Sequence, residues 1–163
     1  VAAFLESVET GRGLSLPGVN LSFAKGWIHP DSLKIGAYRL EVAGTGRWAI
    51  PEIGARLAVS RTDHFRTPRD NFSIFVAERK LRFPLRLRPP KPADKYRKIH
   101  SPYRQAVIEM VRASGVPAPL RWLRPVLENG DGRLLWACGS PLAASFAVQD
   151  DEKGPFVRIS VKI

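Results

Sequence analysis

Apolar residues arrive in short runs over the first half of the chain, and turn formers separate the runs. Leu14-Ser15-Leu16, Val19 to Phe23, Tyr38 to Val42, Arg56 to Val59 and Phe72 to Val76 are each strand-length, and Pro17-Gly18, Pro30-Asp31, Gly44 and Gly46 punctuate them. Around Arg82 the pattern sharpens. Leu81, Phe83, Leu85 and Leu87 fall on one face of a period-two strand, and Arg82, Arg86 and Arg88 fall on the other. Pro84 suits an edge or bulged position there, which would leave the cationic face accessible. The clearest helical signal comes later, with Ser101 as N-cap, Pro102 in the first helical position, and Gly115 then Pro117 as the stop. Tyr103, Val107, Met110 and Val111 make its apolar stripe. Beyond it, Val126-Leu127 and Leu134 to Cys138 flank a glycine-bearing turn and predict a hairpin. Phe146 to Val148 and Phe156 to Val161, on either side of Asp150-Asp151-Glu152, predict a second.

These elements predict an α+β fold of two small, mostly β units, the second with one clear helix packed on a small antiparallel sheet. Pro89-Pro90-Lys91-Pro92 stiffens the chain. The expected boundary lies near residue 80, giving a mostly β substrate-binding unit over 1–79 and a basic α+β unit over 80–163. Phe4, Leu5 and Val8 stand at helical spacing ahead of Gly11 and Gly13, as at the end of a longer helix, so the chain is expected to be the C-terminal part of something larger.

Charge adds what periodicity lacks. The formal net charge is +11, and residues 79–104 alone hold ten basic residues against the single acid Asp94, whereas the rest of the chain carries 16 basic and 14 acidic groups. Such concentration opposes folding unless an anionic partner relieves it. Arginine predominates, and a guanidinium fork grips phosphate bidentately or stacks on a base, which favours nucleic acid over a membrane surface. Tyr96 and Tyr103 lie in the same stretch and could stack on unpaired bases, although Tyr103 also begins the helix stripe. No apolar run approaches the roughly 20 residues of a membrane span, and the first eight residues lack the basic flank of a signal peptide. A cytoplasmic protein is expected.

Catalytic chemistry is hard to find. His29, His64 and His100 are scattered and have no carboxylate or cysteine at metal-ligand spacing, so neither a metal site nor a catalytic residue is assigned. Asp63-His64 is a lone step in a polar loop. Gly44-Thr45-Gly46 lacks the third glycine of a dinucleotide site, and no Walker-type loop exists. Cys138 sits in the apolar run Leu134-Leu135-Trp136-Ala137, as an inert buried thiol would.

A series of segments in order then carries a family likeness. Gly11 to Gly18, Lys80-Leu81-Arg82-Phe83-Pro84-Leu85, Lys91-Pro92-Ala93-Asp94-Lys95-Tyr96-Arg97, Val116-Pro117, Arg121, Pro125 and Gly130-Asp131-Gly132 through Trp136 to Gly139 together resemble the C-terminal portion of bacterial tRNA(Ile)-lysidine synthetase. Asp94 and Arg97 keep the family's Arg-Pro-Gly-Asp-Arg-Phe-Arg signature, while Ala93 replaces its glycine. The chain departs where the family carries a Gly-Ser-Lys-Lys type segment entering the helix; here stand Tyr103, Arg104, Gln105 and Ala106. His100 likewise stands where the family tends to have glycine.

The resemblance implies a parent ligase that uses ATP, with Mg, to activate the wobble cytidine of a tRNA and join lysine to it. That chemistry belongs to an N-terminal domain whose Ser-Gly-Gly-x-Asp-Ser loop is absent here, so the chain alone is expected to be inactive and to hold no cofactor. Its expected partners are tRNA, gripped at the body and acceptor stem, and that catalytic domain, with a homodimer as a further option. The expected RNA contacts are Arg82, Arg86, Arg88, Lys91, Lys95, Tyr96, Arg97, Lys98, His100, Arg104 and Arg121. Two other readings stay open: a docking or dimerisation module with no direct RNA contact, and an autonomous small enzyme.

Overall fold

A computed structural model describes residues 14–16, 19–24, 27–30, 38–116 and 118–163. The helical spacing at Phe4, Leu5 and Val8, the Pro17-Gly18 turn and Pro117 lie outside the described residues. Strands β1 (Leu14–Leu16), β2 (Val19–Ala24) and β3 (Trp27–Pro30) form an antiparallel sheet in sequential order, with Leu14 opposite Leu21 and Leu21 opposite Pro30.

The described residues from Tyr38 onward form an α+β fold in which two four-stranded antiparallel sheets share one core. Their strands, in chain order, are β4 (Leu40–Val42), β5 (Gly46–Ile50), β6 (Ala55–Thr62), β7 (Ser73–Ala77), β8 (Leu85–Arg88), β11 (Val126–Glu128), β12 (Leu134–Ala137) and β13 (Phe156–Lys162). The first sheet has the order β12-β11-β8-β4 and the second β5-β6-β13-β7. A short pair, β9 (Lys95–Tyr96) and β10 (Gln105–Ala106), precedes helices α1 (Val107–Ala113) and α2 (Ala118–Arg121). Val42, Leu85 and Leu87 from the first sheet, Leu57, Val59 and Ile159 from the second, and Val107 and Val111 from α1 enter the same buried cluster. Burying that apolar surface is the main force holding the two sheets together.

The boundary expected near residue 80 is therefore not where this fold divides. β4 pairs with β8 across it, and β13 pairs with both β6 and β7. Both sheets would be cut there. Pro89-Pro90 is a connection inside the fold, with Pro90 buried.

Strand β8 shows how local sequence and pairing combine. Leu85 and Leu87 are fully buried and Arg86 and Arg88 face the other way, as the alternation predicts. The strand begins only after Pro84, so the missing proline N–H costs no ladder bond, and β8 lies between β11 and β4 rather than at an edge. Phe83, expected to pack, is 37% exposed. The segment ahead of β8 is pinned to the β11–β12 turn instead. Asn129 Oδ1 accepts the Arg82 N–H at 2.8 Å, and the Gly130 N–H donates to the Arg82 carbonyl at 2.6 Å. A Cβ on Gly130 would stand 2.3 Å from that carbonyl oxygen, so this glycine is set by close backbone approach.

The first expected hairpin is present, with Val126 opposite Ala137, Leu127 opposite Trp136, and an irregularity at Glu128. The second is not. Ala144–Phe146 forms a 3-10 turn, and β13 spends its hydrogen bonds on β6 and β7. The helix also starts later than its apparent cap. Gln105 and Ala106 pair with Tyr96 and Lys95 as extended chain, so helical geometry is delayed to Val107, whose N–H donates to the Asp94 carbonyl at 2.9 Å. Ser101 Oγ caps nothing and donates to the Tyr103 carbonyl at 3.0 Å.

Candidate nucleic-acid interface

The ten basic residues of 79–104 separate into two groups. Arg79, Lys80, Arg86 and Arg88 are ion-paired to the protein's own carboxylates, with Arg79 still 72% exposed. Arg79 Nη2 and Lys80 Nζ each lie 2.7 Å from one oxygen of Glu152, whose side chain is fully buried. Burial alone would raise the Glu152 carboxyl, but hydrogen bonds from Lys80, Arg79 and the Gln149 N–H outweigh it and lower the pKa to about 2. Arg86 stands directly opposite Glu41 on β4 and Glu128 on β11, at 3.6 and 3.5 Å.

Arg88 is the most fully committed. It donates through Nη1 to Asp94 Oδ2 at 2.7 Å, through Nη2 to Asp94 Oδ1 at 3.0 Å, and through Nε to Glu128 Oε2 at 3.0 Å. Nη1 also reaches the Pro89 carbonyl. With 13% of the Arg88 side chain exposed and both acids mostly buried, no donor fork remains for a phosphate. The hydrogen bond to Asp94, ahead of the opposing effect of burial, raises the Arg88 pKa. Asp94 also accepts the Lys91 N–H at 2.7 Å. The Lys91-to-Arg97 signature is thus a turn wired to β8 through its acid. Arg86 and Arg88, expected as RNA contacts, form an ion-paired ladder.

The second group remains available. Arg82, Lys91, Lys95, Arg97 and Arg104 are exposed, Lys98 is half-buried, and none has a carboxylate partner among the described residues. Lys95, Arg97 and Arg104 meet around a groove of about 680 Å³, whose wall includes Leu134, Ala143 and Ser145. Arg104 Nη2 donates to the Lys95 carbonyl at 2.9 Å, which holds the guanidinium over the β9–β10 pair.

The two tyrosines exchange the roles expected of them. Tyr96 is core: it is 4% exposed, its hydroxyl donates to the Pro141 carbonyl at 2.7 Å and accepts the Ala137 N–H at 3.3 Å, and burial raises its pKa. It cannot stack on a base. Tyr103 is 62% exposed because the chain there has not yet entered the helix. His100 is exposed and in the left-handed region (φ 60°), a backbone conformation that suits glycine. Arg121 is half-buried, with Nε donating to the Val116 carbonyl at 2.9 Å, and does not line the groove.

One groove residue escaped the sequence reading. Arg133, in the β11–β12 turn, lines the wall with its guanidinium 5.0 Å from the Phe146 ring centroid and paired to exposed Asp131 at 2.8 Å. Its only signal was a basic residue next to Gly132, far outside the charged stretch. Chemistry of other kinds is not assembled: among the described residues no three His, Cys, Asp or Glu side chains converge to hold a metal. Burial pushes the Cys138 thiol up to about 12. No helix among the described residues is long and apolar enough to cross a membrane.

No family model and no curated protein matches the chain. Among solved structures, a crystal structure of a TILS C-terminal domain matches with a TM-score of 0.69 at 20% identity, covering 78% of this chain and 97% of that one. The chain has the fold of the TILS C-terminal domain. That domain's match is too long to fit within residues 80–163, about half of the chain, which agrees with the sheets that cross residue 80. An N-terminal fragment of the phenylalanyl-tRNA synthetase β-subunit from Pyrococcus horikoshii matches at a TM-score of 0.44 and 16% identity, over 55% of this chain and 27% of that one, too distant to bear on the site. In the TILS-like fold the groove thus lies beside the β9–β10 pair and the β11–β12 turn, and β8 supplies its ion-paired base.

Proposed function

We propose that this chain is the tRNA-gripping part of a tRNA(Ile)-lysidine synthetase-like ligase, TILS being that enzyme's abbreviation. It would hold the tRNA body and acceptor stem in the cytoplasm, while a separate nucleotide-binding domain, with ATP and Mg, joins lysine to the wobble cytidine. One observation carries the reading. On a TILS C-terminal fold, Lys95, Arg97 and Arg104 converge on one groove whose lining acid, Asp94, is held by Arg88, and none of the three is ion-paired to a carboxylate among the described residues. Such contacts act through phosphates and helix shape, since side chains cannot read the deep major groove of A-form RNA. They position the RNA, and the sequence-dependent chemistry is left to the distant site.

The test is a tRNA titration over a range of salt concentrations. Binding should weaken steeply with salt, and Lys95→Gln/Arg97→Gln/Arg104→Gln should reduce the slope of log K against log salt by about two to three. A flat slope, or a triple variant that binds as the parent does, would remove RNA from the groove. It would leave docking against an acidic protein surface as the use of these cations.

A further inference from the structure

We propose that the outer face of the second sheet is a separate RNA-phosphate-binding surface; the inference rests on the RNA reading above and adds a second contact to it. The inner face of this sheet is fully engaged, with Leu57, Val59, Ile159 and Val161 at most 3% exposed. The alternate residues face outward. On β6 they are Arg56, Ala58, Ser60 and Thr62, and on β13 Arg158, Ser160 and Lys162, all exposed or half-exposed, while Phe156 at the start of β13 lies on the same face but is buried under Phe65. Arg47 joins them from the edge strand, directly opposite Ala58.

Not one acidic residue occurs in β5, β6, β7 or β13. Arg47, Arg56, Arg158 and Lys162 accordingly have no carboxylate partner among the described residues. Arg56 and Lys162 are moreover direct cross-strand partners, an arrangement of like charges that works against the sheet. A fold left to stability alone would place a glutamate at one of the two, as the first sheet does beside Arg86.

The relief of the surface suits a polyanion. Ala58 and Ser160, opposite each other, keep the middle of the sheet low between the cations. At the Arg56–Lys162 end the face opens into a groove of about 1060 Å³ that Arg124, Phe72 and Trp48 also line. Arg124 is held over the Phe72 ring, 5.6 Å from its centroid. Among the described residues Asp70 is the one acid at the rim, and its Oδ1 is occupied by the Phe72 N–H at 2.8 Å. The exposed part of the face carries cations on either side of the low strip at Ala58 and Ser160, and its aromatic residues, Phe75 and Phe156, are already covered by Phe65, so it offers no free apolar anchors and fits a backbone of phosphates better than a folded protein. It shares no lining residue with the groove around Lys95 and Arg104, so the two surfaces are separately testable.

The experiment compares Arg56→Gln/Lys162→Gln with Lys95→Gln/Arg104→Gln and with the four-fold combination in the whole chain, by tRNA anisotropy across salt concentrations. Each pair should lower affinity by about tenfold and the salt slope by about two, with the effects multiplying in the combination. Melting temperature serves as the folding control, and the sheet pair should not lower it. If the groove pair weakens binding and the sheet pair does not, the inference fails and the RNA reading stands. If the parent chain shows no salt-dependent affinity for tRNA, the RNA reading itself fails. Vesicles containing phosphatidylserine form a parallel arm: an effect of the sheet pair on vesicles alone would assign the face to lipid and overturn the inference.

Discussion

The two sheets solve the same problem of a charged outer face in opposite ways. On the first, Arg86 and Arg88 meet Glu41 and Glu128 on the neighbouring strands and Asp94 in the turn after β8, and the face neutralises itself. On the second, Arg56 faces Lys162, and no strand supplies an acid. Both have cationic strands and both cover the same core. Positive charge in a sequence is therefore an incomplete guide to binding. The deciding quantity is charge left over after the fold has paired what it can, and only the strand register gives that.

The strongest way to break the comparison is to remove a cation that the fold uses. Arg88→Ala leaves Asp94 and Glu128 facing each other with little water to screen them, and should cost about 3–5 kcal/mol in urea unfolding. Arg88→Lys should recover only part of this, because an ammonium cannot satisfy both oxygens of Asp94 together with Glu128. A loss below about 1 kcal/mol would mean that the ladder is not structural and that Arg88 could serve RNA after all.

Glu152 extends the paired region and gives it a pH signature. Its pKa is depressed in the folded state, so its stabilisation is complete above the ordinary glutamate range and is lost as pH falls toward about 2. Glu152→Gln should cost about 2–3 kcal/mol near neutrality. It should also flatten the fall in stability between roughly pH 4.5 and pH 2 that the parent protein shows. Melting temperatures of the two proteins across that range decide it: parallel curves would show that Glu152 carries no special share of the acid sensitivity.

Much of the first sheet could be read along the chain, because its signals are local. The alternation of Leu85, Arg86, Leu87 and Arg88, the hairpin around Gly130 to Gly132, and the helix stop at Gly115 all depend on neighbours. The failures share a cause. Ser101-Pro102 has the chemistry of a helix start, but pairing of Gln105 and Ala106 with residues of β9 overrides it. That displaces Tyr103 to the surface while Tyr96 is buried by Pro141 and Ala137, some forty residues away. β13 finds its partners roughly a hundred residues upstream in β6, which no local period announces. The same non-locality hid Arg47, Arg56, Arg158 and Lys162. They are scattered along the chain, contribute nothing to any charged run, and become one surface only when the sheet forms.

The subtlest change converts the second face into a copy of the first. Ala58→Glu places a carboxylate directly opposite Arg47 and diagonal to Lys162, on a half-exposed site with room above it. Cross-strand pairing of opposite charges is worth about 0.2–1 kcal/mol, so the variant should unfold at slightly higher urea than the parent. Its affinity for tRNA should nevertheless drop, because the added acid competes with phosphate for the same cations. That opposite movement of stability and binding is the outcome peculiar to a surface kept unpaired for an anion. A solvated face with no ligand would gain the stability and lose nothing, and would reduce the contrast between the two sheets to an accident of composition.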